Sequence, residues 1–151
     1  MRKSEQQYYK RQYKPDHPEK YRGNHKPIMR SSWEYAFAKW LDHNKNVEWW
    51  ASESTVIPYR SKLDNRWKKY YMDFTVKFTN EKIVLFEIKP KEQTVAPKPQ
   101  KRKTKRFLTE VKTYAQNTSK WEAAQAYARA NGVSFQILTQ DELKKLGLKI
   151  L

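Results

Sequence analysis

The stretch YYMDFTVKFTNEKIVLFEIKP, residues 70–90, decides the fold. It reads as two strands joined by a tight loop, and each strand carries a carboxylate where an apolar residue would be expected. Side chains alternate faces along a strand, so parity tells which residues travel together. In the first strand Met72, Phe74, Val76 and Phe78 share one face, leaving Tyr71, Asp73, Thr75 and Lys77 on the other. In the second, Val84, Phe86 and Ile88 make an apolar face, and Leu85, Glu87 and Lys89 lie opposite. If both even-numbered faces meet one core, odd-numbered residues must oppose odd-numbered ones, which a three-residue loop or a bulge near residues 79–82 satisfies. Asp73 then falls opposite Glu87 or Lys89, within side-chain reach.

Two carboxylates at strand separation repel unless a cation or a proton shares the site. A hard divalent ion resolves the repulsion. Oxygen ligands from Asp73 and Glu87, with the backbone carbonyl of Ile88, suit Mg²⁺, for which Mn²⁺ can substitute. Lys89 on the same face would position an attacking water or neutralise developing charge, because a lysine of unperturbed pKa about 10.4 is a poor general base. The plainer alternative is a solvent-facing ion pair between Asp73 and Lys89, with Glu87 on the surface. Glu-x-Lys recurs at Glu110 with Lys112 and at Glu142 with Lys144, but on predicted helices. There, residues two apart point about 200° away from each other and form no joint site.

Outward from this hairpin, RSSWEYAFAKWLD places Trp33, Ala36, Phe37, Trp40 and Leu41 on one helical face, with Ser31 and Glu34 as a capping box. VEWWA and ESTVIPY read as a strand or a bent pair, followed by the polar loop SKLDNRWK. Helical spacing resumes at Phe107, Leu108, Val111, Tyr114 and Ala115, with a kink or fresh start expected at NTSK, where Ser119 and Glu122 repeat the capping pattern. Gly132 stops that helix, VSFQIL is a short strand, and Thr139 with Glu142 caps a last helix. The order predicts a mixed α/β domain over residues 31–151.

The 151 residues suit one domain, and 32 Lys and Arg against 16 Asp and Glu give a formal charge of +16. That excess fits a polyanion held through its phosphates, with nucleic acid as the leading partner. A spanning helix needs about 18 apolar residues, and no such run exists, so a membrane partner is not expected. The absence of cysteine excludes disulfides, thiolate nucleophiles and zinc–thiolate sites. MRKSEQQYYK lacks a signal peptide's apolar core, which predicts a cytoplasmic protein. Residues 1–30 form a basic, Tyr-rich arm interrupted by Pro15, Pro18, Gly23 and Pro27, either a solvated tail or a DNA-gripping arm through Arg22, Lys26 and Arg30. A basic loop over residues 90–106 concentrates Lys98, Lys101, Arg102, Lys103, Lys105 and Arg106, suited to sequence-independent backbone contact. His17, His25 and His43 lack metal-ligand spacing.

A helix glutamate in SSWEYAF, an aspartate ending an aromatic strand in YYMDF and Glu87-Ile88-Lys89 on the next strand together resemble the PD-(D/E)xK nuclease superfamily. The likeness is closer to the small head-completion nucleases of tailed phages and to the endonuclease subunit of Tn7-like transposases. The α-β-β-β-α-β order across residues 31–139 is similar to that restriction-endonuclease-like core, a mixed central sheet flanked by helices. The resemblance implies Mg²⁺-dependent endonucleolytic hydrolysis of DNA with little sequence specificity. Asp73 and Glu87 would be metal ligands, Lys89 the catalytic lysine, and Glu34 a further acidic ligand or water-orienting group. Met72 stands where the family name has proline. A phage head-completion role implies head or portal proteins as partners, in the host cytoplasm or within the virion. The same fold could instead serve as a non-catalytic DNA-binding adaptor, or as a transposase-like or junction-resolving nuclease.

Overall fold

The alternation of residues 74–88 is realised as two antiparallel strands at the centre of a sheet. The computed structural model describes residues 9–150. In chain order the elements are β1 (Arg11–Gln12), β2 (Ile28–Met29), α1 (Ser32–His43), β3 (Val47–Ser52), β4 (Val56–Arg60), β5 (Trp67–Tyr71), β6 (Phe74–Phe78), β7 (Ile83–Ile88), α2 (Lys105–Asn131), β8 (Ser134–Leu138) and α3 (Gln140–Lys145). The main sheet runs β3-β6-β7-β8, with β7 and β8 parallel and the other two pairs antiparallel. The mixed α-β-β-β-α-β core is thus α1, β3, β6, β7, α2 and β8, with β4 and β5 inserted as a separate antiparallel ribbon.

The β6–β7 register pairs Phe74 with Phe86 and Val76 with Val84, like parity with like. Phe78 N–H donates to Lys82 O at 2.9 Å, so the loop is three residues, and Glu81 takes the left-handed conformation (φ 74°) that closes it. One step beyond Phe74, the register sets Asp73 beside Glu87.

Three expectations are corrected. Residues 70–78 are not one strand: the chain bends at Met72 and Asp73, where Met72 N–H bonds Thr55 O at 3.0 Å. Met72 therefore leaves the face of Phe74 and Val76 and packs with Ile57, Tyr59, Tyr70, Leu85, Trp121 and Ala124. The odd-numbered face is not open to solvent either. It is covered by α2 and the ribbon, which bury Leu85 and Glu87, whereas α1 covers the other face through Phe37, Ala38 and Leu41. The solvent-exposed ion-pair reading falls with it. Finally, α2 runs unbroken for 27 residues. Ser119 does not start a new helix: its hydroxyl bonds back to Ala115 O at 3.2 Å and accepts from Lys62 N–H at 3.2 Å.

The capping signals are realised at three helix ends. Ser31 Oγ accepts from Glu34 N–H, Thr139 and Glu142 complete a reciprocal capping box, and Gly132 (φ 66°) ends α2. Residues 9–30 share the domain's core: Tyr13 and Met29 are buried, and the Tyr21 ring stands edge-on to Trp50 with centroids 4.7 Å apart. A Cβ at Gly23 would lie 1.9 Å from the Tyr21 hydroxyl oxygen, so only glycine permits this docking. Among the described residues no helix is long and apolar enough to cross a membrane.

Candidate active site

Three elements aim their functional side chains into one cleft of about 160 Å³. The first turn of α1 supplies Ser31, Trp33 and Glu34. The bend after β5 supplies Asp73, and the end of β7 supplies Glu87, Ile88, Lys89 and Pro90, with Arg30 at the rim. The four residues singled out from the sequence, Glu34, Asp73, Glu87 and Lys89, therefore share a site despite their separation along the chain.

Each carboxylate is held differently. Asp73 Oδ2 accepts from Ile88 N–H at 2.9 Å, which fixes the aspartate across the two strands. Glu87 Oε2 accepts from both the Tyr70 hydroxyl and the Trp121 indole N–H, while its Oε1 lies 3.9 Å from Lys89 Nζ. Glu34 accepts from Arg30 N–H and from Ser31 Oγ, both at 3.4 Å. The helix N-terminus favours an anion there. Burial outweighs that help and pushes Glu34 up to about 7, although the Arg30 N–H opposes the rise. Burial, then the charges of Glu34 and Glu87, hold Asp73 well above the usual carboxylate range, against the pull of Ile88 N–H and Lys89. Burial and Glu87 also raise the Tyr70 phenol, which keeps it a proton donor.

Three mutually repelling carboxylates with oxygen-only donor atoms fit a hard divalent cation such as Mg²⁺ better than a softer metal. Their ligand atoms stand wider than the one tight trio among the described residues, Asp16, Asp42 and His43, which lie within 4.8 Å of one another. That second cluster was not foreseen, because it needs the N-terminal segment to fold back on the end of α1. Tyr70 and Trp121 also escaped the sequence reading. The available signal was general: a tyrosine or tryptophan facing a sheet needs a partner for its polar hydrogen. Lys120 Nζ stands 5.5 Å from the Tyr70 ring centroid and does not line the cleft.

The predicted DNA contacts divide. Lys98, Lys101, Arg102, Lys103, Lys105 and Arg106 are all solvent-exposed, between the cleft-side Pro90 and the start of α2. Arg106 pairs with Glu110 at 3.2 Å. Arg22 and Lys26 are exposed, whereas Arg30 forks onto Glu53 with contacts of 2.6 and 3.2 Å.

No solved structure matches the chain. A head completion nuclease of Enterobacteria phage T4 is 42% identical over 146 residues, covering 93% of this chain and 97% of that relative. The family profile described as TnsA-like endonuclease N terminal matches residues 44–140, a span that includes Asp73, Glu87 and Lys89. On the extent of both matches, the chain belongs to the TnsA-like endonuclease family, whose cores are PD-(D/E)xK-like.

Proposed function

We propose that the protein is a Mg²⁺-dependent endodeoxyribonuclease with little sequence readout, acting on packaged DNA or its ends during phage head completion. The observation that carries this reading is the convergence of Glu34, Asp73, Glu87 and Lys89 on one cleft in which the carboxylates outnumber their cations. The T4 relative's name and the endonuclease family support the same activity and setting.

Asp73, Glu87 and the Ile88 carbonyl would hold the ion, with Glu34 as a further ligand or as the group that orients water. Bound there, Mg²⁺ or Mn²⁺ supplies Lewis-acid polarisation of the phosphate and neutralises its charge. Tyr70 and Trp121 occupy Glu87 Oε2, which fixes the side chain and commits Oε1 to the cleft. Lys89 supplies a positive charge beside the scissile phosphate and orients the water that attacks it. The exposed cations of residues 98–106, with Arg22, Lys26 and Arg30, grip the DNA backbone without reading bases. The setting is the host cytoplasm during assembly, with head or portal proteins as partners and incorporation into the virion as an extension of that role.

The test is incubation of supercoiled plasmid with Mg²⁺. Wild type nicks or linearises it, Asp73→Ala abolishes cutting, and Lys89→Ala slows it by about 10²- to 10³-fold. A wild-type protein that binds DNA in Mg²⁺ or Mn²⁺ without cutting would make it an adaptor. Strong preference for a branched substrate would make it a junction-resolving nuclease.

A further inference from the structure

The β4–β5 ribbon has two unlike faces. Its inner face, Ile57, Tyr59 and Tyr70, is buried against α2. Its outer face carries Val56, Pro58 and Arg60 on β4 and Trp67, Lys69 and Tyr71 on β5, paired across the strands as Val56 with Tyr71, Pro58 with Lys69, and Arg60 with Trp67. Every residue of this outer face is exposed; Trp67 retains 69% of its surface and Tyr71 50%. None of the six is acidic, and among the described residues Arg60, Lys69 and the neighbouring Arg66 form no salt bridge. A solvent-facing ribbon ordinarily carries polar residues there. This one interleaves two aromatic rings with the cations Arg60 and Lys69, and Arg66 adds a charge at the turn beside Asp64.

We propose that the outer face of the β4–β5 ribbon binds single-stranded DNA, with Trp67 and Tyr71 stacking on unpaired bases and Arg60, Arg66 and Lys69 holding the backbone. Only unpaired bases expose both π-faces to a protein ring, so this surface selects single strands where a purely basic one would not. The two rings lie four residues apart on one strand, about 13 Å, which spaces them for separate bases. Position ties the surface to the cleft. Tyr71 stands two residues before Asp73, and its neighbour Tyr70 donates to Glu87. Because β5 leads directly into the bend that carries Asp73, a strand following β5 on the outer face would run toward the cleft, which makes frayed ends or gaps the preferred substrate. That last step rests on the nuclease reading; the binding surface itself does not. The face suits a protein partner less well. Pro58 lacks the N–H that an added strand would need at the β4 edge, and the charge is all of one sign.

The experiment measures binding of the full chain, in EDTA so that nothing is cut, to a fluorescent oligothymidylate and to a duplex of equal length. Trp67→Ala and Tyr71→Ala should each weaken oligothymidylate binding roughly 5- to 150-fold, the worth of one stacked base, and leave duplex binding within about twofold. Lys69→Gln should lower the salt slope for the single strand by about 0.7, the share of one phosphate contact. Both aromatic side chains are exposed, and unchanged thermal melting confirms that the variants fold. A Trp67→Ala/Tyr71→Ala double variant that binds both DNAs normally, or that loses both in parallel, overturns the proposal; the first result would leave the face to a protein partner. Plasmid cleavage in Mg²⁺, assayed separately, reads the nuclease proposal. A wild type that fails to cut but prefers single strands through Trp67 and Tyr71 sinks that proposal and keeps this one.

Discussion

The two ends of α1 hold carboxylates in opposite circumstances. At the C-terminal end Asp42 is fully buried and fully served. It accepts from the Tyr13 hydroxyl at 2.7 Å, from Asp16 N–H at 2.7 Å and from His17 N–H at 3.1 Å. Beside it, Lys20 Nζ donates to the carbonyls of Leu41, Asp42 and Asn44 at 3.0, 3.0 and 2.8 Å, where a cation meets the negative end of the helix. At the N-terminal end Glu34 shares the cleft with Asp73 and Glu87; burial, helped by the charge of Glu53, raises Glu34, while burial and the charges of Glu34 and Glu87 raise Asp73. One helix thus carries a carboxylate that closes the structure and another that the structure leaves under-compensated. A carboxylate with its acceptors filled reads as structural, and one left short of partners in a cleft is the candidate for function.

The sharpest way to break this contrast is Asp42→Ala. It strands the buried Tyr13 hydroxyl, removes the acceptor of the Asp16 and His17 N–H groups, and should cost about 2–3 kcal/mol in thermal or denaturant unfolding, while cleavage per folded molecule in the plasmid assay persists. An unchanged melting temperature would mean that the latch on residues 9–30 holds nothing.

Glu34→Gln should act in the other direction. Glu34 titrates near 7 in the folded protein against an ordinary 4.5, so between those values the unfolded chain releases a proton that the folded one keeps. Stability therefore falls as pH rises through that window, with the full penalty present above 7. In EDTA the Gln variant should gain about 1–3 kcal/mol over wild type at pH 8 and nothing near pH 4. By the same sign, Mg²⁺ should raise the wild-type melting temperature more at pH 8 than at pH 5, and the variant should lose much of that rise. Equal metal-free stability of the two proteins at pH 8 would contradict the assignment.

Tyr70→Phe sharpens the comparison within the cleft. It removes one of two donors on Glu87 Oε2 and leaves Trp121 in place. Metal affinity, measured by calorimetry with Mn²⁺, should weaken about 10- to 100-fold, with unfolding little changed. The mildest test lies in the loop before α2. Neutralising Lys101, Arg102 and Lys103 together should leave folding untouched and flatten the salt dependence of duplex binding by about 0.9 for each phosphate that no longer meets a cation.

Much of this was legible in local pattern. The period-2 alternation of residues 74–78 and 83–88, the three-residue loop, and the capping pairs at Ser31 and Thr139 each depend on residues within a few positions of one another. So does the pairing of Asp73 with Glu87, which follows once the register is known. The 27-residue helix defies the pattern at NTSK because Ser-x-x-Glu caps a helix only where the chain arrives extended. Here Ser119 arrives already helical, and its hydroxyl serves Ala115 O and Lys62 N–H instead.

By itself, then, the amino-acid sequence determined the mixed α/β class, the hairpin register, the basic character and the four residues that gather in the cleft, because periodicity, capping and charge are short-range properties. Tertiary structure decided the rest. It broke the strand at Met72 and Asp73, buried the face carrying Glu87, brought Tyr70 and Trp121 onto one carboxylate oxygen from 17 and 34 residues away, and folded residues 9–30 back to satisfy Asp42. Those outcomes depend on which surfaces meet when two cores close on opposite sides of one sheet, and no window along the chain contains both partners of such a contact.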